Sequence, residues 1–252
     1  PYTSTTTPKH GKFGFFKSEL DCFRMVATEL GLIEKSADVF ARHPLVYLME
    51  AADDICYQVM DIEDAHKLKI LGIEEVTTLL TGFFNPERCR HITGVLDNID
   101  DDNEKVAYLR SCVVGELVGE CAKVFVDNEE CILNGEFEGC LIDHISPVAR
   151  NGYAECSRTA WRKIYNSPDV VDIELAGNQI ITFLLDRLID AVLLPEKNYS
   201  RLLLSRIPHQ YDTSSPTTYG KIQSVLDHIS GMTDVYALDL FRKLNGLSLP
   251  AV

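Results

Sequence analysis

The chain has 252 residues, 46% of them hydrophobic and 25% charged, and a formal charge of −14. That is enough for one large domain or two small ones with a real core. The acid excess disfavours sequence-independent binding to nucleic-acid backbones, and no apolar run reaches the roughly 18 residues of a membrane span.

In chain order, residues 1–17 read as an irregular arm rich in Thr, Lys, Gly and aromatics, with Lys9, Lys12 and Lys17 as its basic cluster. Ser18 and Asp21 form a capping-box pattern before a helix over 20–32, ended by Gly31. Pro44 suits the first position of a long helix reaching about Lys69. A short helix is predicted over 72–80, a connection over 83–92, and an acidic loop and helix start over 97–104. Residues 103–127 form a strong helix, with apolar side chains at 106, 109, 113, 117, 121 and 124. Residues 130–145 are ambiguous. Helices follow over 147–165, with Trp161 as a core anchor, and over 168–194 as one or two segments. Residues 198–211 hold Arg201 and Arg206, and 214–216 read as a loop. The last two helices, 219–230 and 233–245, are split at Gly231. Period-2 alternation is nearly absent, so the fold class is all-α. The arm, a helical region over 18–126 and a second over 127–252 make up the predicted organisation. The eight cysteines include no Cys-x-x-Cys pair, which argues against a zinc ribbon. They read as free thiols, several of them buried, in a reducing cytoplasm.

The helix from Pro44 carries the most chemistry. Between Pro44 and Ala65 stand six acids and no Lys or Arg. Asp53, Tyr57 and Asp61 fall four residues apart and share one stripe of a helix, rising about 6 Å per step. A carboxylate row without local cations needs partners from elsewhere, and a metal ion is a chemically favoured one.

The run from Arg42-His43-Pro44-Leu45 into Glu50-Ala51-Ala52-Asp53-Asp54-Ile55-Cys56-Tyr57, followed by Asp61-Ile62-Glu63-Asp64-Ala65, resembles bacterial deoxyguanosine triphosphate triphosphohydrolases. These are members of the α-helical HD-type metal phosphohydrolases. Gly231-Met232-Thr233-Asp234-Val235-Tyr236-Ala237 resembles that family's closing segment, and 108–110 and 153–174 its middle region, so the resemblance spans essentially the whole chain. It implies the later helices of an HD-type domain plus a C-terminal helical extension. It also implies hydrolysis of a deoxynucleoside triphosphate, dGTP above all, to the deoxynucleoside and tripolyphosphate. A divalent cation, Mg²⁺ or Mn²⁺ with other transition metals possible, and a homo-oligomer are part of the same implication. By the same resemblance Asp53 matches a metal-ligating Asp, and Tyr57 and Asp61 match sugar- and phosphate-contacting positions. Glu174 matches a position facing the purine, and Arg201 an Arg near the base or phosphates. Each also admits a plainer reading: an exposed acid at 53, a core tyrosine at 57, a wet-face acid at 61, structural residues at 174 and 201.

The chain departs from the family pattern in one respect. The family's other metal ligands are a His and a consecutive His-Asp pair, and none of the seven histidines here is followed by Asp. In the family these ligands precede the stretch that starts here, and the chain begins with Pro1. The expectation is therefore a portion of a longer enzyme, inactive or nearly so in isolation. The alternative is a helical oligomerisation or nucleotide-regulatory module without catalysis. Arg110 and Glu50 are expected to be structural, and Gly231–Asp234 to break one helix and cap the next.

Overall fold

Helix α2 (Pro44–Lys67) organises the first part of the molecule, and its start is dictated locally. Pro44 occupies the first turn, where no N–H is needed, and His43 Nδ1 accepts a hydrogen bond from the Leu45 N–H at 3.2 Å. Tyr47, Ala51, Ile55, Val59 and Ile62 are buried along one stripe. Helix α5 (Asp102–Asp127) is capped by Asp101, whose carboxylate accepts from the Glu104 N–H at 2.9 Å. It buries Val106, Leu109, Val113, Leu117, Cys121 and Val124, the apolar series read from the sequence. These two stripes pack on each other and, with α3 (Ile73–Thr81), α4 (Pro86–Leu96) and α7 (Pro147–Thr159), enclose the first core.

The coordinates are a computed structural model that describes residues 15–247. They are all-α apart from a short antiparallel ribbon, β1 (Glu34–Ser36) with β2 (Val39–Phe40), turned at Asp38 with φ of 61°. Helix α1 (Leu20–Glu29) precedes the ribbon. It is entered through a 3₁₀ turn at Lys17–Glu19, where Glu19 Oε2 accepts from the Phe16 N–H at 2.8 Å. Lys9 and Lys12 lie outside the described residues.

The structure corrects two readings. Residues 83–92 are not a connection, because Asn85 Oδ1 accepts from the Arg88 N–H at 2.9 Å and Pro86 follows at the first helical position, starting α4. Trp161 is not a core anchor but is 69% exposed. After α7 the backbone makes a π turn over Ala160–Ile164, which turns Ala160 and Ile164 inward and leaves the indole outside.

The chain divides into two compact units after Tyr165. The reason is packing. α6 (Glu129–Leu133), the 3₁₀ turn Leu141–His144 and α7 bury Ile132, Leu141, Ile145, Ala149 and Cys156 in the same core as α2 and α5.

The second unit is built on α8 (Pro168–Leu193), one continuous helix. Its Leu184, Leu188, Ala191 and Val192 pack with Leu203 of α9 (Asn198–Leu204), Val225 and Ile229 of α10 (Thr218–Ser230), and Ala237 and Leu240 of α11 (Asp234–Leu244). Gly231 separates the last two helices. A Cβ there would sit 2.9 Å from the Tyr211 hydroxyl. Thr233 caps α11, accepting from the Tyr236 N–H at 3.3 Å.

His228 in α10 is buried, its ring tilted against Tyr211 at 5.2 Å between centroids, and its Nε2 has no hydrogen-bond partner among the described residues. Desolvation pushes its pKa below the ordinary histidine value. The unfolded chain therefore takes up a proton in a pH range where the folded one does not. The contribution is fully present above the unfolded pKa and is lost as pH falls below it. Urea unfolding followed by circular dichroism, compared between about pH 7.5 and about pH 5.5, is expected to show a smaller acid loss in His228→Leu than in the parent chain.

Candidate functional site

On α2 Met49, Asp53, Tyr57 and Met60 are among the positions that face away from the core, all exposed, with Tyr57 at 60%. The predicted stripe thus exists as a surface row. Asp61 stands at its edge, half-buried, and a residue 104 positions later meets it: the Tyr165 hydroxyl donates a short hydrogen bond to Asp61 Oδ2. The Tyr57 and Tyr165 rings lie 6.5 Å apart between centroids and 31° from parallel. Burial, and then the hydrogen bond to Asp61, push the Tyr165 hydroxyl far above the usual phenol range, so it stays protonated and a donor. Two tyrosine rings and one carboxylate thus cluster at the C-terminal half of α2.

Tyr165 is absent from the site residues read from the sequence. Nothing local marks it, because its place depends on the π turn that precedes it. There the Tyr165 N–H donates to the Ala160 carbonyl at 3.0 Å, an i→i+5 bond.

The neighbours of the stripe are structural, as expected. Glu50 pairs with Arg42 at 2.7 Å, and Arg42 also donates to the Gly139 carbonyl at 2.6 Å. Arg110 Nη1 lies 3.1 Å from Glu63 Oε2, and Lys67 meets the other Glu63 oxygen at 3.1 Å. The Asp54 carbonyl accepts from the Tyr153 hydroxyl at 3.3 Å. All eight cysteines are free. Burial pushes Cys121 up to about 11 and Cys156 up to about 12, which keeps both as thiols at neutral pH and unsuited as nucleophiles.

The fit to a metal ion is partial. Asp53 offers a hard oxygen ligand on an accessible face, but among the described residues no three His, Cys, Asp or Glu side chains converge into a group able to hold an ion. The described residues do not by themselves build a metal centre. Glu174 and Arg201 belong to the second unit. Glu174 is exposed on the stretch of α8 before Leu184, where no residue is buried. Arg201 is exposed on α9 and donates to Asn198 Oδ1.

Comparison with known proteins gives this geometry its context. Residues 144–243 match a phosphohydrolase-associated domain, a range that includes Tyr165 and most of the second unit. A deoxyguanosinetriphosphate triphosphohydrolase-like protein of Synechocystis is 33% identical over 244 residues, covering 94% of this chain and 53% of the relative. A protein of the same description from Pseudomonas aeruginosa is 31% identical over 251 residues, with 96% and 56% covered. The chain belongs to the deoxyguanosinetriphosphate triphosphohydrolase-like family. A deoxyguanosinetriphosphate triphosphohydrolase of Yersinia enterocolitica is also similar, at 27% over 281 residues, with 92% of this chain and 54% of the relative covered. The chain spans about half the length of these relatives. Within this family frame, no helix among the described residues is long and apolar enough to cross a membrane.

Proposed function

We propose that this chain is the part of a metal-dependent deoxynucleoside triphosphate triphosphohydrolase that carries the sugar end of the substrate site. The proposed reaction is dGTP plus water to deoxyguanosine and tripolyphosphate. The observation that carries the reading is the pairing of Asp61 with Tyr165 beside the Tyr57 ring. A carboxylate beside two aromatic rings suits a deoxyribose, whose hydroxyl donates to the carboxylate while the carbon skeleton lies against a ring.

Asp53, one helical turn before Tyr57, is proposed as one ligand to a divalent cation, Mg²⁺ or Mn²⁺, whose other ligands come from outside the described residues. Such an ion, when bound, polarises a phosphoryl oxygen and acidifies a water. The exposed Met49 and Met60 flanking Asp53 support the view that further protein covers this face in the complete enzyme. Glu174 is proposed to accept from the purine edge, and Arg201 to lie near the base or phosphates. The homo-oligomer is proposed on the family resemblance.

Two measurements test the reading. The isolated 252-residue chain, given dGTP and Mn²⁺, is expected to release no tripolyphosphate. A chimera in which this chain replaces its matching segment in the Synechocystis relative is expected to release it, and Asp53→Ala in that chimera is expected to abolish release. A chimera as active with the Asp53→Ala substitution as without it would overturn the assignment. The module without catalysis is the outcome if the chimera folds, binds dGTP and never turns it over.

A further inference from the structure

The path from α7 to Tyr165 is not a plain helix. The π turn over Ala160–Ile164 adds one residue to a helical turn, and each added residue rotates the downstream chain by about 100°. Continued as an α-helix, α7 would carry the Tyr165 side chain off the Asp61 side. Interior π turns are rare, so contacts around this one must favour it.

Such a contact lies in the turn just before it. Ser157 Oγ is 2.6 Å from Gln58 Oε1 and 3.0 Å from the Tyr153 carbonyl. Gln58 sits on α2 between Tyr57 and the next turn at Asp61, and it is only 6% exposed. Its Nε2 is buried and has no partner among the described residues. An orphaned buried donor is unfavourable, and an apolar side chain of the same size would avoid it. Stability therefore does not account for a glutamine here, whereas a directional bond that sets the register of α7 on α2 does.

We propose that Gln58 is a positioning residue, which pins Ser157 and, through the π turn, holds Tyr165 against Asp61 and beside Tyr57. Gln58 touches no substrate in this scheme. It sets where the Tyr165 ring and hydroxyl stand relative to Tyr57 and Asp61. The inference rests on the reading of Tyr57, Asp61 and Tyr165 as the nucleoside site.

The test uses the full chain labelled at tyrosine Cζ with ¹³C and no nucleotide. The Tyr165 signal is assigned by its loss in Tyr165→Phe, and Asp61→Asn defines how it moves when the hydrogen bond changes. Gln58→Met and Ser157→Ala are each expected to move the Tyr165 signal toward that of exposed tyrosines, with the melting temperature kept and the Tyr47 and Tyr211 signals unmoved. Ser157→Thr, which keeps the hydroxyl, is expected to leave it in place. A Tyr165 signal that holds still in either folded variant overturns the proposal, as does one that moves only with a general loss of structure. Adding dGTP to the parent chimera tests the site separately. Tyrosine signals there that ignore dGTP count against the site and leave the nucleotide-free result on Gln58 standing.

Discussion

Gly152→Val is expected to destabilise the first unit by about 3 kcal/mol, near the upper end of what overpacking costs, and so to lower its melting temperature by roughly 10 °C. Gly152 lies in the middle of α7, where glycine is a poor helix former, so helix propensity alone favours replacing it by up to about 1 kcal/mol. The packing decides otherwise. A Cβ at this position would sit 2.9 Å from Phe83 Cγ and 3.0 Å from the backbone of Gly82. Phe83 is 1% exposed and cannot swing aside, and a backbone carbonyl at the end of α3 cannot retreat without moving that helix. The missing side chain is what lets α7 lie close enough to α3 for Ser157 and Tyr165 to reach α2. Gly119 on α5 supplies the control. A Cβ there meets nothing within 4 Å among the described residues, so Gly119→Ala is expected to stabilise by about 0.5–1 kcal/mol. Thermal unfolding followed by circular dichroism reads both, and equal signs for the two would contradict the packing argument.

Leu109→Ala is expected to cost about 3 kcal/mol, within the range measured for leucine truncations in cores. Leu109 is fully buried on the face of α5 that packs against α2. The surrounding core is filled by buried side chains of several packed helices, so the cavity is expected not to close by local collapse. Leu109→Met, which preserves volume, is expected to cost under about 1.5 kcal/mol. Urea unfolding midpoints give the comparison, and a Leu109→Ala loss no larger than that of the methionine variant would show that the interface relaxes more freely than its burial implies.

Much of the architecture is legible in the chain itself. Apolar spacing places α5 and its six buried positions, because a 26-residue helix with one buried face writes its period into the chain. Asp53, Tyr57 and Asp61 are legible as one helix face for the same reason. The pairing of Arg110 with an acid is legible because a cation on an apolar helix needs one. The start of α4 carries a readable Asn-Pro signal that the polar character of 85–91 obscures. The ribbon at Glu34–Phe40 carries none, since its strands of three and two residues are too short for alternation to register.

What the sequence alone determined is the all-α class, the approximate spans of α2 and α5, and the identity of the carboxylate row on α2. Helix caps, periodicity and proline positions act within a turn or two, so they survive in a linear reading. Only the tertiary structure decided which residue completes that row and which aromatic is buried. Tyr165 reaches Asp61, and Trp161 faces solvent, because a π turn shifts the phase of the chain between them. That shift depends on how α7 lies on α2 and α3, a contact between residues about a hundred positions apart that no local rule encodes.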